Sequence, residues 1–449
     1  MVEEHRMLAV RQIPKQPNHT AHTQHIIVTL IPPTLPSIPL TSILPFSNRC
    51  FATETGDELP WYDWWVHQQV QAQPKELFET LSEGDSTSDL RWTGVFGRVW
   101  QETARFLTEN TSGSIDDVIT HLLDNGNIHR PVTSDSSSPP TMRSLVFAII
   151  GWQTMLYLPD IHSCPFSQLA IESQMALHQG LCHMSLKQGQ SACKKPMNTF
   201  LLGYGVLLPP RQFSIAETTE EKEAFNRWTT ANPESFNAHF LTVFGGINIV
   251  WVDSLPCHLE FDSDSNTLFL FRYPSYCLMN SGSDESSSHT HKSVLHACAI
   301  SSASRQWANQ EEITQMLQET ILSFRLLFGQ NRASRKLYRS LEPFQGIPDQ
   351  GADPFLKTIC GEQRLRTPIG LSERNSYELR RDFPILRSRL AILMSHLASK
   401  KPRTWKELWL DKRDSASWLT FWAVIVIGGL GIVLAFLQVI LQIIQIVRA

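Results

Sequence analysis

The stretch WLTFWAVIVIGGLGIVLAFL, residues 418–437, dominates the architecture of this chain. It forms the core of a run of thirty-three residues, 415–447, that carries no charged side chain. A helix of twenty residues rises about 30 Å, which matches the hydrocarbon thickness of a bilayer. A buried core helix is the alternative, but core helices seldom stay uncharged over so many turns. The sequence therefore predicts a single transmembrane helix over residues 415–447.

The two flanks of this helix differ in charge. The preceding segment, KKPRTWKELWLDKRD (residues 400–414), holds six basic and three acidic side chains, whereas only Arg448 is charged beyond the helix. Short flanks that are rich in Lys and Arg stay on the cytosolic side of the membrane. We therefore expect a single-pass, tail-anchored protein with a cytosolic N-terminus, in a membrane that the sequence does not specify.

The basic segment itself is predicted to contact the membrane surface. Clustered Lys and Arg side chains are attracted to anionic lipids, and Trp405 and Trp409 share one helical face that favours the headgroup layer. The alternative is that these charges only set topology during insertion. The predicted membrane-surface residues are Lys400, Lys401, Arg403, Trp405, Lys406, Trp409, Lys412, Arg413 and Trp418.

Small side chains and amide side chains recur at helical spacing along the apolar helix. Gly431 and Ala435 have the small-xxx-small spacing, and Gln438, Gln442 and Gln445 fall on one helical face. Such a pattern can let helices approach and hydrogen-bond inside the bilayer, so a homo-oligomer through the transmembrane helix is one possible arrangement. The alternative is that the glycines are incidental and that the glutamines lie in the far headgroup layer.

The rest of the chain is predicted to be mainly α with a small antiparallel β hairpin or meander. Helical periodicity marks residues 92–107, 141–158, 304–328 and 384–399, while CHLEFD (257–262) and TLFLFRYP (267–274) alternate like strands. The predicted segments are a disordered proline-containing arm (1–58), a mainly helical cytosolic domain (59–280) with a β hairpin near 247–274, a disordered loop (281–293), a helical region (294–399), the basic juxtamembrane segment (400–414) and the transmembrane helix (415–447).

Charge and cysteine usage narrow the classes of function. The net charge is −4, but residues 331–414 hold 18 Lys/Arg against 10 Asp/Glu, so a basic region adjoins the predicted membrane helix. This favours contact with lipid over contact with nucleic acid, because no nucleic-acid-binding motif accompanies the charge. The eight cysteines show no framework spacing and are expected to be reduced, buried and inert.

One row of polar side chains invites a chemical interpretation. In the strand-like CHLEFD, the alternation places His258, Glu260 and Asp262 on one face. Such a row can bind a metal or move protons, but it is more often the solvated face of a half-buried hairpin. We therefore predict no catalytic residue, no cofactor and no metal.

No catalytic signature favours one reaction. The chain lacks the phosphate-binding loop, the dinucleotide fingerprint, the nucleophile elbow, HExxH and the kinase motifs. The favoured hypothesis is therefore a membrane-anchored binding or scaffold protein with a protein partner on the cytosolic side. A membrane-tethered enzyme, such as a metal-dependent hydrolase, and a membrane-associated immune or stress regulator are the alternatives.

Three stretches resemble a known group of sequences. They are NIVWVDSLPCHLEFDSDSNTLFLFRYPSYC (248–277), LLFGQNRASRKLY (326–338) and the region from KPRTWKELWL (401–410) to residue 442. They are similar to an uncharacterised family of predicted single-pass membrane proteins of filamentous fungi. The resemblance implies a membrane anchor and a fungal origin, and it implies no activity or catalytic residue.

Overall fold

The computed structural model describes residues 59–81, 89–128, 139–172, 185–205, 219–281, 293–299, 309–361, 374–400 and 415–448. The predicted arm (1–58) and nearly all of the predicted loop (281–293) lie outside these residues. The chain divides into two units, 1–39 and 40–449, and every described residue belongs to the second. The described part is mainly helical with small sheets, which confirms the predicted fold class.

Helices account for most of the described chain. The first seven are α1 (Pro60–Gln71), α2 (Asp89–Glu109), α3 (Ile115–Asp124), α4 (Pro140–Thr154), α5 (Met197–Leu202), α6 (Thr219–Arg227) and α7 (Ala238–Val243). They are followed by α8 (Pro274–Asn280), α9 (Val294–Ala297), α10 (Gln310–Phe324), α11 (Arg332–Leu341), α12 (Pro354–Gly361), α13 (Leu379–Asp382), α14 (Arg387–Ser399) and α15 (Ser415–Arg448). Short 3₁₀ turns occupy Lys75–Leu81, Gln190–Lys194, Leu255–Cys257 and Asp349–Gly351, and a π turn occupies Arg325–Gly329.

Local chemistry explains where several helices begin. The Ser114 hydroxyl accepts a hydrogen bond from the Asp117 N–H, and the Asp117 carboxylate accepts one from the Ser114 N–H, which forms a capping box for α3. Asn309 and Glu312 form the same arrangement for α10. Each cap satisfies N–H groups that the first turn of a helix leaves without partners.

Helix α4 is shorter than its periodicity predicts. The pattern continues to residue 158, but the helix ends at Thr154 because Met155 adopts a left-handed conformation with φ of 48°. The Met155 carbonyl then accepts a hydrogen bond from the Leu255 N–H. This carbonyl is therefore paired with a distant segment instead of with a further turn of the helix. Most of α4 is buried, so this apolar helix belongs to the core of the domain.

Three small sheets accompany the helices. Strands β1 (Gln168–Glu172) and β2 (Ser185–Gly189) are antiparallel, as are β3 (Thr230–Ala231) and β7 (Tyr377–Glu378). The third sheet has the order β4-β6-β5, with β4 (Asn248–Val252) parallel to β6 (Thr267–Phe271) and β5 (Phe261–Asp262) antiparallel to β6.

The third sheet corrects the predicted strand boundaries. The hairpin between β5 and β6 is confirmed, but CHLEFD contributes only its last two residues to a strand. A 3₁₀ turn that contains Pro256 and a left-handed Leu259, with φ of 63°, break the extended pattern before Phe261. The edge strand is therefore too short to present an alternating face.

Two hydrophobic clusters form the interior. One is built mainly from α1 to α5 with α8 and α9, and the other from β4 to β6 with α7, α11, α12 and α14. Helix α10 connects them, since Ile313, Met316 and Leu317 enter the first cluster and Phe324 enters the second. The helical periodicity of residues 304–328 thus corresponds, in its described part, to a helix whose apolar side chains belong to the core. Both clusters draw on residues from the ranges 59–280 and 294–399.

Candidate functional site

The C-terminal helix α15 is the most distinctive functional feature. Its residues Trp422–Val447 form the one candidate membrane span in the described chain, and none of its most apolar stretch is buried against the rest of the protein. Twenty-six residues make a helix of about 39 Å, long enough to cross a bilayer with some tilt. The predicted apolar C-terminal helix is confirmed as a helix that meets the requirements of a span.

The predicted membrane-surface residues are only partly visible. Lys400 follows the last turn of α14, and its N–H donates to the Leu397 carbonyl at 3.3 Å. Trp418 lies within α15, although its side chain is not among the described ones. The other predicted contacts, Lys401, Arg403, Trp405, Lys406, Trp409, Lys412 and Arg413, lie outside the described residues. Their contact with lipid therefore stays a prediction.

Helix α14, the last described helix before α15, is held firmly on the domain. The Arg389 guanidinium pairs with the Glu260 carboxylate and donates to the Pro256 carbonyl at 2.8 Å. Near the other end of the helix, the Trp228 indole N–H donates to the Ser395 hydroxyl at 2.8 Å. The His396 ring lies 4.7 Å from the Phe261 ring, centroid to centroid. These contacts fix the last described residues before the gap to the body of the domain.

A buried carboxylate holds the start of the same helix. Glu319 of α10 is fully buried and accepts hydrogen bonds from the N–H groups of Ile385 and Leu386, at 3.0 and 2.7 Å. Its Oε1 atom also accepts from the Gln315 amide at 3.0 Å. A negative charge at this position satisfies the unpaired N–H groups at the helix N-terminus and complements its dipole.

His258 does not lie on a solvated face. It is fully buried, with its Nδ1 accepting from the Phe271 N–H at 3.3 Å and its Nε2 within 2.7 Å of the Ser323 hydroxyl. Because Nδ1 is an acceptor, Nε2 carries the proton and donates to Ser323, whose hydroxyl donates to the Thr320 carbonyl. Burial lowers the pKa of His258 to about 3, so the ring is neutral at physiological pH.

Glu260 and Asp262 point to different partners. Glu260 pairs with Arg389, and the Asp262 carboxylate accepts from the N–H groups of Asp264 and Ser265 in the turn after β5. The prediction that these two residues share a face with His258 is therefore wrong. No group of three or more His, Cys, Asp or Glu side chains that could hold a metal occurs among the described residues. The three side chains have structural roles instead.

The described cysteines lie as free thiols in the fold. Cys193, Cys277, Cys298 and Cys360 are buried, and Cys164 and Cys257 are partly exposed. Burial raises the pKa of Cys298 to about 12, which keeps this thiol protonated. A protonated thiol is a poor nucleophile and a poor metal ligand, so the burial suits a structural role.

An open polar cleft in the described domain offers a recess for a ligand. Its volume is about 690 Å³. Three segments line it: the turn after β3 with the start of α7 (Asn232, Pro233, Glu234, His239 and Phe240), the start of α11 (Gln330, Asn331, Arg332 and Ala333) and the segment before β7 (Arg374 and Asn375). We call this recess the α7–α11 cleft.

Hydrogen bonds fix the walls of the α7–α11 cleft. The Ser334 hydroxyl accepts from the His239 N–H at 3.1 Å and donates to the Asn237 amide oxygen at 2.9 Å, which joins the starts of α7 and α11. The Gln330 amide donates to the Tyr377 hydroxyl, and Arg374 pairs with Asp382 at 2.7 Å. Burial lowers the pKa of His239, which favours its neutral form.

Local sequence patterns indicate little of this cleft. Arg332 belongs to a short basic helical segment, and Asn232, His239 and Arg374 belong to no recognisable motif. Asn331 does carry a local signal, because an Asn before a basic helix is typical of an N-cap. Nothing local indicates that segments around residues 232, 331 and 374 meet.

Comparison with known proteins identifies no relative of this chain. No protein-family model, no curated protein and no solved structure matches the chain. The resemblance to the fungal family stays a prediction.

Proposed function

We propose that this chain is a membrane-anchored binding or scaffold protein, in which α15 crosses the bilayer once and the helical domain binds a partner on the cytosolic side. The observation that carries the proposal is an uncharged C-terminal helix with none of its most apolar stretch buried, joined through α14 to a folded domain. The basic flank supports the cytosolic placement of that domain.

Binding is favoured over catalysis because of how the polar side chains are arranged. The proposed enzyme alternative depended on His258, Glu260 and Asp262, and each of these is committed to a separate structural contact. The α7–α11 cleft is lined mainly by amides and cations rather than by a paired nucleophile and base. Such a lining suits recognition.

The orientation can be tested by protease protection on isolated membranes, with tags at both ends of the full chain. We expect the N-terminal tag to be digested and the C-terminal tag to be protected. Asn110 adds an internal reporter, because it begins an Asn-Thr-Ser sequon and its side chain is exposed at the end of α2. Glycan on Asn110, or on Asn18 in the other sequon, would place the domain in the lumen and contradict the proposal.

Charges placed in α15 are expected to abolish membrane integration. Ile427 and Leu434 are 70% and 57% exposed on this helix, so neither supports the folded domain. An arginine near the centre of a span costs about 3 kcal/mol, so the double variant Ile427→Arg with Leu434→Arg loses about 6 kcal/mol of insertion free energy. We expect alkaline carbonate to release this variant from membranes, while the full chain and an Ile427→Ala, Leu434→Ala control stay in the pellet. Retention of the arginine variant would rule out a spanning α15.

The basic juxtamembrane segment is expected to bind anionic lipid on its own. Each Lys or Arg near such a surface contributes about 1 kcal/mol, and salt screens this attraction beyond about 8 Å. A peptide that covers residues 398–414 should therefore bind vesicles with phosphatidylserine more tightly than phosphatidylcholine vesicles, and less tightly as salt rises. Equal binding to both vesicles, or binding that salt does not change, would leave these charges with a role in topology alone.

A further inference from the structure

We propose that the α7–α11 cleft is a binding site for a phosphorylated polyol, a sugar-sized ring that carries both phosphate and hydroxyl groups. The inference goes beyond the membrane-anchored binding role, because it concerns a ligand site that would exist whichever way the anchor is oriented. Its volume of about 690 Å³ lies within the range of small-molecule sites.

Two guanidinium groups make the cleft suitable for phosphate. Arg332 is exposed, and within the described chain its guanidinium forms no hydrogen bond or ion pair. One Nη atom of Arg374 pairs with the Asp382 carboxylate, and Arg381 pairs with the same carboxylate. Two guanidinium groups therefore face a single carboxylate. Arginine binds phosphate through planar, bidentate hydrogen bonds, and a pair of arginines is a common means of holding it.

The N-terminus of α11 contributes less to phosphate binding than the two arginines do. The side-chain oxygen of Asn331 already accepts from the N–H groups of Ala333 and Ser334, at 2.9 and 3.2 Å. These donors are therefore occupied, and only the field of the helix dipole still favours an anion there. The arginines, rather than the helix end, must make the direct contacts.

The remaining lining favours hydroxyl groups. The Glu234 carboxylate would repel a ligand that is anionic on every side, but it accepts hydrogen bonds readily from hydroxyls. Asn375 and Gln330 place amide groups along the same recess, and the His239 imidazole is neutral and can accept or donate. A ring that presents phosphate to Arg332 and Arg374 and hydroxyls to Glu234 would pair with both the cationic and the acceptor side chains of the cleft.

The position of the cleft bears on the source of the ligand. Helix α7 begins at the cleft and is about 9 Å long, and just beyond its end the Gly245 carbonyl accepts a hydrogen bond from His396 of α14 at 3.2 Å. Helix α14 ends three residues later, at Ser399. The cleft is therefore linked through α7 to the C-terminal part of α14, the last described helix before α15, and a lipid headgroup and a soluble phosphate ester share the chemistry that the cleft would bind.

Calorimetric titration of the full chain, held in phosphatidylcholine nanodiscs, tests the site with inositol trisphosphate as the probe. We expect saturable binding that Arg332→Gln and Arg374→Gln each weaken about tenfold or more, the effect of losing one charge-assisted contact. Arg339→Gln is the matched control for Arg332, since it removes the same charge from an exposed position of α11 outside the cleft. Arg381→Gln is the control for Arg374, since it also removes a partner of Asp382.

The chemical class of the ligand and the source of the ligand are tested by separate measurements. Glu234→Ala should weaken binding of inositol trisphosphate but strengthen binding of inorganic phosphate, because it removes both a hydroxyl acceptor and a repulsive charge. If the ligand is a lipid headgroup, nanodiscs that contain a phosphoinositide should lower the apparent affinity for the soluble probe through competition; a soluble ligand predicts no such change. Absence of saturable binding, equal losses in the arginine variants and their controls, or equal affinity for inorganic phosphate would overturn the proposal.

Discussion

Replacing Glu319 with glutamine is expected to lower the free energy of unfolding by about 3 kcal/mol. Both carboxylate oxygens accept hydrogen bonds from N–H groups, so the amide of glutamine must point its own N–H₂ at a donor whichever way it turns. Hydrogen bonds to a charged group contribute about 1.5–3 kcal/mol, and a buried donor left without a partner costs about 1–3 kcal/mol. The loss falls on Ile385 and Leu386, the two residues that lead into α14, which is the last described helix before α15.

The measurement is urea unfolding of the full chain in phosphatidylcholine nanodiscs, followed by tryptophan fluorescence. Glu311→Gln is the control, because Glu311 is an exposed carboxylate in the first turn of the same helix α10. It should change the unfolding free energy by less than about 0.5 kcal/mol, as surface substitutions usually do. Equal effects of the two substitutions would mean that the Glu319 carboxylate does not stabilise the start of α14.

Acidification is expected to destabilise the domain through His258. The unfolded histidine takes up a proton near pH 6.5, whereas the pKa of the buried ring is lowered to about 3, so the unfolded state binds more protons between these values. The contribution of His258 to the free energy of unfolding is therefore fully present above pH 6.5, and it decreases as the pH falls towards 3. Between pH 7.5 and 5.0 the loss amounts to about 2 kcal/mol.

Comparison with His258→Gln isolates this contribution. Glutamine can accept from the Phe271 N–H and donate to Ser323 without titrating, so its variant should lose about 2 kcal/mol less than the wild type over the same interval. Asp353 acts in the opposite direction, since burial raises its pKa to about 6 and its contribution to stability increases as the pH falls through that value. Because Asp353 is present in both proteins, it cancels in the difference. Equal losses in wild type and variant would show that His258 is not held neutral by the fold.

Much of the helical framework could be predicted from sequence because its signals are local. The cap at Ser114 and the apolar stripe through Ile313, Met316 and Leu317 each depend on residues within a few turns of one another, so elements of this kind can be recognised along the sequence. The end of α4 could not be predicted, because a contact between Met155 and Leu255 decides it. The same limit applies to the candidate site, where Arg332 and Arg374 lie far apart in the chain.

The sequence by itself determined the apolar C-terminal helix and the mainly helical class, since both follow from composition and periodicity along one continuous segment. Only the tertiary structure decided that His258 is buried against Ser323, that β4 lies parallel to β6, and that Glu319 holds the start of α14. The physical reason is that a polar side chain is neutral, charged or paired according to the partners that distant segments bring to it. Alternation in CHLEFD predicted a wet face, but long-range packing buried His258 and left Glu260 and Asp262 to separate partners.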